Sequence, residues 1–260
     1  MQDSQNFNQE KHRAPLKRIT SLKQLLSSYL VSKSLSEIRS ERESELKGMA
    51  KDSLPKVNTT DKNIRELYER FAELIDYKKV LLGIVKKGLE DVDKYNFEED
   101  SSINKNATAD TEHLRTQFST AFVELENINL KDHTLRVFRL ALEDGEKRGR
   151  AIDVAIPILA SLFHDFGKSS LIRKHHIGQD EGKTYKKHAA VSKIYIEEEL
   201  RPLFKTSSET IDMLSMLVEN HHPSNNKMKR DTNIAFIIKA DHDARKEEIK
   251  LIKEKRSKGV

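Results

Sequence analysis

From residue 64 onward, apolar residues recur at spacings of three and four. Ile64, Leu67, Tyr68, Phe71, Leu74 and Ile75 run into Val80, Leu81, Ile84, Val85 and Leu89. Such spacing lines one stripe of a single long helix. A shorter pattern precedes it: Ile19, Leu22, Leu26, Tyr29 and Leu30 behind a Thr20-Ser21 start signal. Further helical patterns cover about Leu130–Lys147, Ala151–His164, Lys187–Leu200 and Glu209–Asn220, with a fifth from Asp231 through the tail. Pro157 falls inside the second, where its ring should kink the helix or lie near its first turns. No useful run alternates with period two, and no hairpin dipeptide joins two β-branched runs. The expectation is an all-α chain without internal repeats.

Two stretches interrupt the periodicity. ERESELKGMAKDSLPKVNTTDKN is charged and then turn-rich, and reads as a linker. DKYNFEEDSSINKNATAD, from Asp93 to Asp110, is rich in Asn, Ser and Asp, and is where a domain boundary is expected. The organisation read from this is a disordered 1–18, an N-terminal helical region with linkers over 19–110, a second helical domain over 111–247, and a basic tail over 248–260.

Composition narrows the function classes. The longest apolar-rich stretch, Ala151–Phe163, is far short of the ~20 residues a spanning helix needs. The opening MQDSQNFNQEKHRAP lacks the apolar centre of a secretory signal, so a cytoplasmic location is expected, with no membrane partner. With no cysteine, any metal must be held by His, Asp or Glu. The net charge of +5 is small against 47 cations, and much of it is local to RKEEIKLIKEKRSK, Arg245–Lys258. That tail is a candidate nucleic-acid contact through counterion release; a solvated last helix is the plainer reading.

Ten histidines are many for this chain, and their positions matter more than their number. His133 shares a helical face with Val137, Leu140 and Ala141, so it points inward. His164-Asp165 closes the apolar run PILASLF and is followed by Phe166-Gly167-Lys168. An imidazole and a carboxylate ending a buried helix are costly unless satisfied, and a metal ion satisfies both. Asp241 follows another apolar run, IAFIIKA, and is preferred to its neighbours His242 and Asp243 for that reason. Two imidazoles and two carboxylates suit iron, manganese, cobalt, nickel or zinc.

The segments KDHTLRVFRLAL, ILASLFHDFGK and IIKADHDA, in this order, resemble the three motifs of the HD phosphohydrolase superfamily. The resemblance runs from about Asp132 to Glu247. It implies an HD-type helical bundle binding one or two divalent ions (Mn, Fe, Co, Ni, Zn or Mg), with His133, His164, Asp165 and Asp241 as ligands. In binuclear members further histidines stand between the doublet and the last Asp; here His188, His221 and His222 hold comparable places, with Asp165 bridging. Trinuclear members carry a Glu one turn before the first His, where this chain has Asn129. The Gly-Tyr-Pro signature of the cyclic-dinucleotide branch is replaced by PSNNKMKRD, so cyclic di-GMP cleavage is not expected.

The implied activity is hydrolysis of a phosphomonoester or phosphodiester in a phosphorylated small molecule, a nucleotide or a nucleic acid. Bound metal lowers the pKa of its water and neutralises phosphoryl oxygens. Asp165 and Lys168 are the candidate catalytic residues, Lys168 as a cation for a non-bridging oxygen. The polar stretch Ser169–Lys187 reads as a loop that brings Arg173, Lys174, His175 and His176 near the site, either as a clamp or lid or as an ordinary solvated loop, with His175 and His176 not counted as ligands. Two alternatives stand beside this: an HD-like relaxase or other DNA-processing protein of a mobile element, and a non-catalytic HD scaffold. The N-terminal amphipathic helices are candidates for a homodimer contact.

Overall fold

The order of elements follows from where apolar stripes end and capping residues stand. The structure is a computed structural model, and it describes residues 54–103, 125, 127–148, 151–178, 188–222 and 231–258. The expected helix from Ile19 and the loop section 179–187 lie outside the described residues. Eight α-helices are present among the described residues: α1 (Lys62–Leu74), α2 (Lys79–Lys94), α3 (Leu130–Lys147), α4 (Ala151–Phe163), α5 (Ser170–Ile177), α6 (His188–Tyr195), α7 (Ser208–Glu219) and α8 (Thr232–Ser257). No strand occurs among the described residues, and the protein is all-α. None of these helices is long and apolar enough to cross a membrane.

The expected long helix from Ile64 to Leu89 is two helices. The chain turns between them, where Asp76 and Tyr77 adopt φ of 50° and 56°. The stripe nevertheless continues across the break, because both helices face one core. Asp61 caps α1 by accepting from the N–H groups of Asn63 and Ile64, and Asp231 does the same for α8 at Asn233 and Ile234. Pro157 sits at the seventh position of α4, which runs on through it to Phe163.

The stretch read as a boundary contributes to that core. Tyr95 and Phe97 are buried, and the Phe97 ring meets Phe166 edge-on at 4.8 Å. Helices α1 and α2, before it, share one continuous hydrophobic cluster with α3, α4, α6, α7 and α8, after it. Phe71 of α1 lies against Phe138 of α3 at 5.9 Å. Gly88 lets α2 approach α4 closely: a Cβ there would stand 2.5 Å from Phe163 Cζ. All the described residues belong to one compact unit, Ser53–Val260.

Lys131 fastens α1 and α2 to the start of α3. Its Nζ lies 3.1 Å from Asp61, 2.8 Å from Asp93 and 2.8 Å from Glu98, with only 11% of the side chain exposed. The residue after next is His133, so this anchoring also sets where that imidazole stands.

Candidate metal centre

Each candidate ligand is positioned by a local device. Asn129 caps α3 by accepting from the Asp132 N–H at 2.7 Å, which sets the first turn carrying His133. Helix α4 ends at Phe163, and His164 turns its Nδ1–H onto the Ser161 carbonyl at 2.8 Å, leaving the Nε2 lone pair for another partner. His221, just past α7, is held the same way by the Val218 carbonyl at 2.6 Å. Gly167 allows the turn after Asp165 to lie directly on α6. A Cβ at this position would stand 2.1 Å from the His188 carbonyl oxygen. Ser192 closes the same contact, accepting from the Gly167 N–H at 2.7 Å and donating to the His164 carbonyl at 3.0 Å.

These devices bring the predicted residues together around Asp165, which is 1% exposed. Its Oδ2 faces His164 Nε2 at 3.3 Å and His133 Nε2 at 3.5 Å. Its Oδ1 faces His188 Nε2 at 3.2 Å and His221 Nε2 at 3.9 Å. Asp241 Oδ1 stands 3.2 Å from His133 Nε2. Ligand atoms of His133, His164 and Asp241 lie within 4.8 Å of one another, as do those of His188, His221 and His222. The seven residues therefore form two groups with the Asp165 carboxylate between them. His222 is the exposed member, and its ring lies 5.1 Å from that of His188. Asp241 rather than its neighbours enters the site: His242 is about half exposed, and Asp243 pairs with Lys239 and Lys246.

The polar atoms at the centre are those a cation would satisfy. His133 Nε2, His164 Nε2, Asp165 Oδ1 and Asp241 Oδ1 are buried and form no hydrogen bond among the described residues. His188 and His221 face each other Nε2 to Nε2 at 3.2 Å. The His221 Nε2 contributes a lone pair to that contact. Burial first, then His222, His188 and His164, hold the His221 imidazole well below its ordinary pKa, so it stays neutral. The residues present fit a divalent metal: imidazole nitrogens and carboxylate oxygens that converge in a buried place.

Electrostatics around the two groups differ. Burial and Arg245 oppose a charge on His133, yet Glu248, Asp165 and Asp241 outweigh them and raise its pKa to about 9. Positive charge is thus stabilised at that position, whether carried by a proton or by a cation. Burial also opposes the Asp165 charge, and His164, Lys168 and His133 overcome it to hold the carboxyl well below its ordinary range.

Several residues at this centre escape the sequence reading. Glu248, fully buried, accepts from His133 Nδ1 at 2.8 Å and from Arg136 at 2.9 Å. Arg245 joins Glu248 at 3.0 Å and donates to both the hydroxyl and the carbonyl of Ser102. A carboxylate behind a ligand imidazole fixes its tautomer and ring orientation. One signal was available: Glu248 and Arg245 lie seven and four residues after Asp241, on one face of α8. Ser192 and Ser102 offered none.

Lys168 stands differently from a substrate-facing cation at a helix end. It is 5% exposed, with Nζ 2.8 Å from Asp165 Oδ2 and 3.3 Å from the Ser102 carbonyl. The stretch after it is not a loop at first: Ser170–Ile177 is helix α5, capped by Ser169 and ended by Gly178 at φ 67°. Arg173 is buried there and donates to the Lys168 carbonyl, which takes it away from a clamp.

Residues 130–253 match the family model of the HD domain. The chain carries an HD domain. The match begins at the first residue of α3 and extends into the last turns of α8, so it spans all seven candidate ligands. HD domains belong to a superfamily of metal-dependent phosphohydrolases. No curated protein and no solved structure matches the chain.

Proposed function

We propose that this HD protein is a binuclear metal-dependent phosphohydrolase acting on a phosphate ester of a nucleotide or nucleic acid. The observation that carries the reading is the pair of ligand groups on opposite oxygens of one buried carboxylate. His133, His164 and Asp241 would hold one ion, His188, His221 and His222 the other, and Asp165 both. A bound divalent metal supplies a Lewis acid for the phosphoryl oxygens and lowers the pKa of its water toward neutrality.

The chain's own residues do the rest. Glu248 holds the His133 ring with its Nε2 directed into the centre, and the Ser161 and Val218 carbonyls do so for His164 and His221. Lys168 donates to Asp165 Oδ2 and offsets its negative charge, so its contribution would be to position the carboxylate that the two ligand groups share. Exposed His222 and partly exposed Asp241 mark the side from which a substrate reaches the centre.

The test is metal content of the full chain by elemental analysis, with hydrolysis of p-nitrophenyl phosphate and bis-p-nitrophenyl phosphate in manganese or iron. Loaded with manganese or iron, the chain is expected to hold about two of these ions at the HD centre, falling to about one in His188→Ala and to near none in Asp165→Ala, with hydrolysis lost in the latter. A folded Asp165→Ala protein with full activity would overturn the proposal. A wild type that takes up no metal on reconstitution would overturn it equally.

A further inference from the structure

Away from the HD centre, a second set of metal-ligand atoms converges on the opposite end of α6. His175 and His176 lie in the last turn of α5, and Glu199 lies in the π-helical turn Ile196–Leu200 that extends α6. A ligand atom from each of the three lies within 4.8 Å of the other two. His188 of the HD centre starts the same helix, so eleven residues of helical rise, ~16 Å, separate the two places.

The donors are prepared in the manner of a metal site. The His176 side chain is 1% exposed, and its Nδ1 lies 2.6 Å from Glu198 Oε2. With its N–H given to that carboxylate, the ring carries its lone pair on Nε2. That atom is buried and has no hydrogen-bond partner among the described residues. A carboxylate behind an imidazole whose second nitrogen is unsatisfied is the arrangement that orients metal-ligating histidines. Tyr195 lies against the His176 ring edge-on at 5.7 Å, which restricts the ring further.

Glu199 divides its two oxygens. Oε2 lies 3.4 Å from Lys87 Nζ, and Oε1 faces His175 Nε2 at 3.8 Å, too far for a hydrogen bond. Both glutamates come from one π turn, a local widening of the helix that recurs at functional sites. It lets consecutive residues serve different histidines, Glu198 behind His176 and Glu199 toward His175.

We propose that His175, His176 and Glu199 bind one divalent cation of the borderline class, with zinc as its representative. Two imidazoles and one carboxylate match that class, and no thiolate is present to favour softer ions. The cation would join α5 to the turn beyond α6. Because α5 follows Lys168 directly and α6 begins with His188, it would act as a structural clamp on two elements that flank the HD centre.

The experiment is zinc titration of the full-length chain by calorimetry, with stoichiometry and thermal midpoint as readouts. It uses Asp165→Asn, and separately Asp241→Asn, to weaken the HD centre. In these backgrounds a micromolar zinc-binding event with a raised thermal midpoint is expected. His175→Ala, at an exposed side chain, and the shape-conserving Glu199→Gln should each abolish it or weaken it by ~10-fold or more. In otherwise wild-type protein the same two changes should lower zinc content by one ion per chain. A binding event unchanged by either substitution would overturn the proposal, and so would zinc binding no tighter than millimolar. Failure of the HD proposal would alter metal loss in Asp165→Ala but leave the His175 dependence intact, so the two outcomes are distinguishable.

Discussion

Replacing Glu248 by glutamine tests the buried charge network behind the candidate metal centre. Glu248 is fully buried, and its carboxylate faces His133, Arg136 and Arg245 at 2.8 to 3.0 Å. Burial opposes its charge, but His133 and Arg245 more than compensate, taking its pKa from an ordinary 4.5 to about 2. At neutral pH that difference makes the ionised group worth ~3 kcal/mol of folding stability. The figure agrees with the ~3–5 kcal/mol lost when one partner of a buried ion pair is removed. A depressed folded-state pKa gives a stabilisation that is complete above 4.5 and disappears as pH falls through about 2. The difference between wild type and Glu248→Gln should therefore be ~3 kcal/mol at pH 7 and less than half of that at about pH 3. Urea unfolding with EDTA present, at several pH values, measures it, and a midpoint lower by ~1 M or more is expected at pH 7. An equal penalty at pH 3 and pH 7, or one below ~1 kcal/mol at neutrality, would refute the electrostatic account. Without EDTA, affinity for the metal should also fall by ~10–100-fold, because the acceptor behind His133 loses its negative charge.

Two further changes probe how the centre is positioned. Gly167→Ala places a Cβ 2.1 Å from the His188 carbonyl oxygen, so α6 must move away from Asp165. Overpacking of this kind costs ~1–3 kcal/mol. Calorimetric melting should show a Tm lower by ~2–4 °C per kcal/mol, and elemental analysis should show the ion on the His188 side lost first. An alanine variant with wild-type Tm and metal content would contradict the close-approach argument. Lys131→Met leaves Asp61, Asp93 and Glu98 without their shared cation. A loss of ~1–3 kcal/mol is expected by denaturant titration. Hydrogen exchange should accelerate first in α1 and α2; uniform acceleration across the chain would show that Lys131 is not their particular anchor.

Legibility in the sequence divides along the range of the interactions. Helical spacing located α3, α4, α7 and α8 closely, since a stripe at three and four residues has one solution at that length. The same rule overran the turn at Asp76-Tyr77, because two helices facing one core continue a single stripe across the break. Ser170–Ile177 read as a loop: it is polar and short, and its helicity rests on the Ser169 cap and on packing of Ile172 and Arg173. The stretch 95–103 carried turn-forming residues around Tyr95 and Phe97. Only the fold shows that these rings enter the core beside Phe166.

The residue types and order of the HD motifs, and the all-helical character, could be read from the chain alone. Both depend on chemistry carried by neighbouring residues: periodic apolar faces, and polar pairs ending apolar runs. Which oxygen of Asp165 meets which histidine was decided by the packing of α4 against α6 and α7, across the close contact that Gly167 permits. The same packing turned Lys168 inward to Asp165 and set Glu248 and Arg245 behind His133. The longer of these relations, Gly167 to His188 and His133 to Glu248, join residues 21 and 115 positions apart, and a one-dimensional pattern holds no information on the distance between them. Only the enclosure of charged groups by the folded core made those distances short and gave them energetic weight.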